Sequence, residues 1–239
     1  MQYCENEEPT QNLSIPAGGI LCVITGRFLC APDQYQTMLE NILEARPDMI
    51  QLREKKLEGI PAVSDRVFYE EGRWLRAQCR ERGILFIVDD RLDMAMALDA
   101  DGVHLGRKDL PLLVARKLWG RNKLYGVSVG TIEEAQQAEL QGARYLGYGA
   151  VFPTETKQDI RPNNLEGLEA VCSAVRIPVL AIGGIGMDQV PQVMKRGCGG
   201  IAVVSAVWKA PHPGIMVRTI KNLMAENWNY QTIGETNAS

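Results

Sequence analysis

Eight short apolar runs recur along this chain, each followed by a segment of helical character, and this alternation limits the fold more than any other feature. The runs cover 20–25, 48–54, 84–89, 102–106, 123–128, 145–151, 178–182 and 200–205, and Gly, Pro and Asp bound them. They are rich in Val, Ile and Leu, as strands buried on both faces are. Between them, apolar spacing predicts helices over 32–44, 62–82, 131–141 and 187–196. Pro47 lies beyond the first of these helices. Gly83, Gly142 and Gly197 follow the others as stop residues. Thr131 with Glu134 three residues later reads as a capping box.

Eight βα units of about 25 residues each fit an α/β fold of the (β/α)8 TIM-barrel type, in a single domain. The alternative is a doubly wound open sheet, but no G-x-G-x-x-G follows the first run. The barrel is expected over 20–226. Residues 1–19 are polar, end in Pro16-Ala17-Gly18-Gly19 and read as a mobile leader; 227–239 lose periodicity and read as a tail.

Composition removes several classes of function. The 26 Lys and Arg nearly balance the 29 Asp and Glu, so no extended nucleic-acid footprint is expected. No apolar run approaches the length of a membrane span, so no membrane partner is expected. The first ten residues, MQYCENEEPT, are acidic and lack an apolar segment of the secretory type. The expectation is a soluble, cytoplasmic domain, with homo-oligomerisation left open. Two histidines exclude any three-histidine metal site. Cys4, Cys22, Cys30, Cys79, Cys172 and Cys198 show no C-x-x-C spacing and read as reduced, structural thiols.

In a barrel, functional side chains sit where strands end and βα loops begin. The second run ends Gln51-Leu52-Arg53-Glu54-Lys55. Alternation puts Gln51, Arg53 and Lys55 on one face and Leu52 on the other. Since Leu52 suits the helix-facing side, the polar triplet points inward, where Arg and Lys suit a phosphorylated ligand. Asp89 and Asp90 close the third run and Asp109 follows the fourth. Carboxylates there can share Mg²⁺ with substrate oxygens, or Asp90 and Asp109 can cap the helices that follow; spacing admits both.

Ser128 ends the fifth run, and Thr154, Thr156 and Lys157 lie in the sixth loop, where they read as an anion clamp or a polar turn. Gly183-Gly184 after the seventh run, with Val204-Ser205 at the end of the eighth, form a glycine-lined cradle expected to lead into a helix N-terminus. Cations and carboxylates on one side of the mouth and a phosphate cradle on the other suit two phosphorylated ligands, or one phosphorylated at both ends. His104, in Val-His-Leu-Gly, reads equally as a site residue or a buried structural one.

The stretches QLREK (51–55), DDRLDMAMALDADGVHLGRKDLP (89–111), GVSVGTIEEA (126–135), GYGAVFPTETK (147–157), IPVLAIGGI (177–185) and GIAVVSAV (200–207), in this order, resemble the thiamine-phosphate synthase family. The resemblance spans about residues 20–224. It implies a transferase that joins hydroxymethylpyrimidine diphosphate to thiazole phosphate, giving thiamine phosphate and pyrophosphate, with CO2 released when the thiazole arrives as its carboxylate. By position, it implies that Gln51, Arg53 and Lys55 bind the pyrimidine diphosphate, with Ser128 and Lys157 on the diphosphate. Asp90 and Asp109 would hold Mg²⁺. Thr154, Thr156, Gly184, Val204 and Ser205 would bind the thiazole phosphate. It further implies a dissociative step in which Arg53, Lys55 and Lys157 act catalytically by stabilising charge on the leaving group.

Two positions depart from the family pattern. Asp89 stands where the family commonly has Asn, and is read as substrate-binding through a proton, a second cation or the pyrimidine amino group. Gly130 stands where His is common, and where the related thiazole tautomerases use a histidine for proton transfer. Gly130 cannot serve as acid or base, which disfavours the tautomerase-like alternative. A non-catalytic thiamine-phosphate-binding relative is a third reading, and the retained cation set argues against it.

Overall fold

Every strand buries both of its faces, and this is why the runs read as continuously apolar. The computed structural model describes residues 13–54, 63–154 and 164–228. Strands β1 (Ile20–Ile24), β2 (Met49–Leu52), β3 (Leu85–Asp89), β4 (Gly102–Leu105), β5 (Leu124–Val129), β6 (Tyr145–Gly149), β7 (Val179–Ile182) and β8 (Gly200–Val203) pair in parallel in chain order. The last closes on the first, with Leu21 opposite Ile201 and Cys22 opposite Ala202. The expected closed barrel is therefore present.

Alternate residues divide into two cores. Ile20, Cys22, Ile24, Met49, Ile87, Leu124, Tyr145, Leu180 and Ala202 fill the barrel. Their sequence neighbours, among them Leu21, Val23, Ile50, Leu52, Phe86, Val88 and Val103, pack outward against the helices. Leu52 is on the helix side, as its place between Gln51 and Arg53 requires.

The helices are α1 (Pro32–Glu44), α2 (Asp65–Arg82), α3 (Leu92–Ala97), α4 (Leu112–Trp119), α5 (Ile132–Leu140), α6 (Leu165–Ala174), α7 (Val190–Met194), α8 (Ser205–Trp208) and α9 (Pro213–Glu226). Two depart from the sequence reading. The α2 helix starts at Asp65 because the Ser64 hydroxyl accepts from the Val67 N–H and caps it there. The α7 helix is far shorter than 187–196. Pro191 has no N–H and is tolerated only in a first turn, so the helix starts beside it. The N-terminus of α5 keeps the Thr131 cap, but Glu134 accepts from Gly130 N–H, one residue before the capping-box position.

Leu13 and Ile15 pack against the interior core, and Trp228 packs on the outer one. Residues 13–19 and 227–228 thus lie on the barrel, unlike a leader and tail free of it. Five cysteines are free thiols; Cys4 lies outside the described residues. Burial pushes Cys79 and Cys198 up to about 12, so both stay protonated at neutral pH, as structural thiols do.

Trp208 ties the end of β1 to the outer core. Its Nε1 donates to the Ile24 carbonyl at 2.8 Å, and its ring stacks on Tyr35 with centroids 5.1 Å apart. Trp208→Ala is expected to cost about 4 kcal/mol, read as a lower urea midpoint. Leu140, 82% exposed on α5, is expected to accept Ser within about 0.5 kcal/mol. Equal midpoints for the two variants would contradict the packing described.

Candidate active site

The β2 strand delivers Gln51 and Arg53 to the interior at the C-terminal mouth. Thr25, one residue past β1, fixes this end: its Oγ1 accepts from the Arg53 N–H at 2.8 Å. From β3, Asp89 faces both side chains. It accepts from Gln51 Nε2, and its Oδ2 lies 3.4 Å from Arg53 Nε. Arg53 and Asp89 side chains are each only 7% exposed. The extra charge at position 89 is therefore met by Arg53. Arg53 still keeps a nitrogen for something else: Nη1 is buried and has no hydrogen-bond partner among the described residues. A buried guanidinium nitrogen left without a hydrogen-bond partner suits an anionic ligand.

Asp90 follows β3 in the left-handed region (φ 60°), and Asp109 ends the short turn after β4. Asp109 Oδ2 accepts from the Gly106 N–H at 2.7 Å. A Cβ placed on Gly106 would stand 2.7 Å from Asp109 Oδ2 and 3.8 Å from Asp90 Oδ1, so both carboxylates front the same glycine. Neither stands at an N-cap: α3 and α4 have Arg91 and Pro111 there, with no side-chain cap bond. The capping reading of these aspartates is thereby set aside. Among the described residues no three His, Cys, Asp or Glu side chains group as a self-sufficient metal site. Two carboxylates on one glycine do fit Mg²⁺, which takes one or two carboxylates and completes its shell with water and phosphate oxygens.

Ser128 reaches the mouth from β5, half-buried, with its Oγ 2.9 Å from His104 Nε2. On the other side, the β6 loop packs on the β7 loop. A Cβ at Gly183 would meet the Ala150 Cβ at 2.5 Å, and one at Gly184 (φ 66°) would meet the Pro153 carbonyl at 2.5 Å. Only glycine allows this approach, and it sets Thr154 beside the Gly183-Gly184 turn. The helix expected to follow that turn does not abut it, since α7 begins at Val190. After β8, the partly buried Val204 side chain packs against both cores, and Ser205 begins α8.

Lys55, Thr156 and Lys157 lie outside the described residues. Of the other candidates, the structure links Gln51, Arg53 and Asp89 directly, brings Asp90 and Asp109 to Gly106, and packs Pro153, the neighbour of Thr154, against Gly184. Beside Asp89 and Asp90, a cavity of about 150 Å³ is lined by Glu54, Val63 and Phe68.

Several contributors were not singled out from the sequence. Thr25 satisfied the strand-end rule, and only its hydroxyl-to-backbone bond reveals its use. Arg27 pairs with both Glu54 and Glu71 and stacks 4.2 Å above Tyr35, tying the β1 loop to the β2 loop. Burial raises the Glu54 carboxyl, and Arg27 opposes that shift. At Gly130 a Cβ would stand 1.8 Å from Arg107 Nη2, so this arginine fills the space a side chain there would need. Arg107 in turn pairs with Glu134 at 3.2 Å.

Comparisons of sequence and of fold with known proteins converge on one family. The family model described as thiamine monophosphate synthase matches residues 21–207. A thiamine-phosphate synthase of Moorella thermoacetica is 48% identical over 176 residues, covering 73% of this chain and 81% of that one. One from Chlorobium luteolum is 40% identical over 213 residues, covering 89% and 96%. Among solved structures, thiamine phosphate pyrophosphorylase from Pyrococcus furiosus superposes with a TM-score of 0.79 at 41% identity, covering 89% of this chain and 98% of that one. A 3-hexulose-6-phosphate synthase, at 17% identity and a TM-score of 0.60, shares the fold.

Proposed function

The chain belongs to the thiamine monophosphate synthase family, and from that premise we propose which substrates its mouth residues hold and how they act. The reaction joins 4-amino-5-hydroxymethyl-2-methylpyrimidine diphosphate to thiazole phosphate. The methylene C–O bond breaks, the electron pair leaves with pyrophosphate, and the thiazole nitrogen forms the new C–N bond. When the thiazole carries a carboxylate, CO2 leaves as well.

The observation that carries this reading is the Arg53 guanidinium: buried, balanced on one side by Asp89, with Nη1 unmatched among the described residues. A diphosphate oxygen supplies what that nitrogen lacks. In the proposal Gln51 and Asp89 hold the pyrimidine, and Arg53, Lys55, Ser128 and Lys157 hold the diphosphate. Thr154, Thr156, Gly184, the Val204 backbone and Ser205 hold the thiazole phosphate. The roles of Lys55, Thr156 and Lys157 rest on the family resemblance alone.

Asp90 and Asp109 would hold Mg²⁺, which when bound supplies positive charge to the diphosphate oxygens. The chain's own cations share that task, since charge grows on the leaving group as the bond breaks. Two anchored phosphates hold the reacting atoms in register without a protein base. A cytoplasmic location accompanies the proposal, supported by five free thiols. The isomerase reading lacks a proton carrier, because Gly130 lies under Arg107.

The direct test mixes protein, both substrates and Mg²⁺, and follows thiamine phosphate together with pyrophosphate. Equal release of both is expected; folded protein without turnover would refute the reading. Ser205→Ala is expected to raise the KM for thiazole phosphate about tenfold, the worth of one hydrogen bond to a charged group, with little change in the KM for the pyrimidine diphosphate. A rise confined to the latter would mean the two subsites are exchanged.

A further inference from the structure

A second polar file, apart from Gln51, Arg53 and Asp89, lies in the barrel interior next to Ser128. Tyr145 on β6 is fully buried, with its hydroxyl 3.3 Å from His104 Nδ1; His104 Nε2 in turn lies 2.9 Å from Ser128 Oγ. The neighbouring strands make room for it. A Cβ at Gly126 would stand 2.1 Å from Tyr145 Cζ and 2.5 Å from His104 Nδ1, and one at Gly147 would stand 3.0 Å from His104 Cε1. Two inward-facing positions on β5 and β6 thus forgo side chains, and the imidazole fills the space. Barrel interiors are normally packed with branched apolar residues; polar groups at this depth must be satisfied by one another.

A protonated phenol can set the direction of these bonds. Burial holds the Tyr145 pKa well above its ordinary value, so the hydroxyl keeps its proton, and in the arrangement inferred below it donates that proton to Nδ1. The Nδ1 atom that receives it carries no hydrogen, so the neutral ring holds its proton on Nε2. That N–H donates to Ser128 Oγ, and the serine's own proton is left for another acceptor.

We infer that His104 is a positioning residue: set in its Nε2–H tautomer by Tyr145, it occupies the Ser128 oxygen as acceptor and so commits the Ser128 proton to an oxygen of the departing diphosphate. The inference rests on the proposed role of Ser128 at the diphosphate. Without the Tyr145 hydroxyl, the ring can take its proton on Nδ1. Nε2 then draws the serine proton toward itself, and the donor to the leaving group is lost.

A set of substitutions read by steady-state kinetics tests the relay, with the unfolding midpoint as a check on folding. Ser128→Ala is expected to lower kcat about 100-fold, as loss of one transition-state donor does. Tyr145→Phe, which removes a single oxygen, is expected to lower kcat about tenfold while leaving the KM for thiazole phosphate unchanged. His104→Gln, whose amide nitrogen can take the place of Nε2–H, is expected to recover most of the rate lost in His104→Ala. In a Ser128→Ala background, Tyr145→Phe and His104→Gln should each change kcat less than twofold, because their effect passes through the missing hydroxyl.

Full, multiplicative losses in that background would overturn the relay and leave Ser128 at the diphosphate. If Gln restores no more than Ala does, the donor role of Nε2 is overturned. An unchanged rate in Ser128→Ala alone would instead refute the placing of Ser128 on the diphosphate, and the relay with it.

Discussion

Arg53→Ala is expected to lower kcat about 1000-fold and to destabilise the barrel by about 3–5 kcal/mol, for two separable reasons. The kinetic loss comes from the guanidinium that meets charge on the departing diphosphate in a site shielded from water. The stability loss comes from Asp89, which would be left as a buried carboxylate without its cation. The double substitution Arg53→Ala/Asp89→Asn should therefore regain most of the stability and none of the turnover. Asp89→Asn alone leaves Arg53 short of negative charge until an anion binds, so pyrophosphate should raise the Tm of this variant more than that of the parent. Chemical unfolding, thermal shifts and initial rates measure all three. Equal thermal shifts in Asp89→Asn and parent would show that pyrophosphate does not lie on Arg53.

Asp90→Asn is expected to lower kcat/KM at least 100-fold and to raise the Mg²⁺ concentration for half-maximal rate more than tenfold, since the site would lose one of two carboxylates. Asparagine suits the test because it tolerates the left-handed backbone that Asp90 adopts; alanine there would add strain to the comparison. Asp109→Asn should behave alike, because its amide oxygen can still accept from the Gly106 N–H and hold the turn. Titrating Mg²⁺ at saturating substrate, with circular dichroism to verify folding, gives the result. A Mg²⁺ dependence that is unaltered in both variants would remove these aspartates from metal binding.

Position along the strands made part of this site legible. Gln51 and Arg53 alternate with Leu52, and the apolar residue between them orients the pair inward; the two cores confirm that phase. Asp90, Asp109, Ser128, Thr154 and Gly184 were reached the same way, as residues where a strand gives way to its loop. Position along a strand does not suffice where one residue's neighbours decide the outcome. The length of α7 turned on Pro191, and the fate of 13–19 turned on whether Leu13 and Ile15 found the open foot of the barrel. At Asp89 the sequence presented an unexplained charge; its answer is Arg53, from the neighbouring strand.

The sequence by itself determined the closed barrel of alternating strands and helices, and which residues crown its mouth. Both follow from periodicities of two and 3.6 residues, which act between near neighbours in the chain. Tertiary structure alone decided who meets whom there: Arg53 with Asp89, Asp90 and Asp109 across Gly106, Arg107 over Gly130, and Tyr145 through His104 to Ser128. These pairs join different strands and loops, as His104 does with Ser128, 24 residues on, and with Tyr145, 41 residues on. Their contact depends on how barrel closure staggers the strands, and on glycines at Gly126 and Gly147 whose missing side chains matter only once the strands lie side by side.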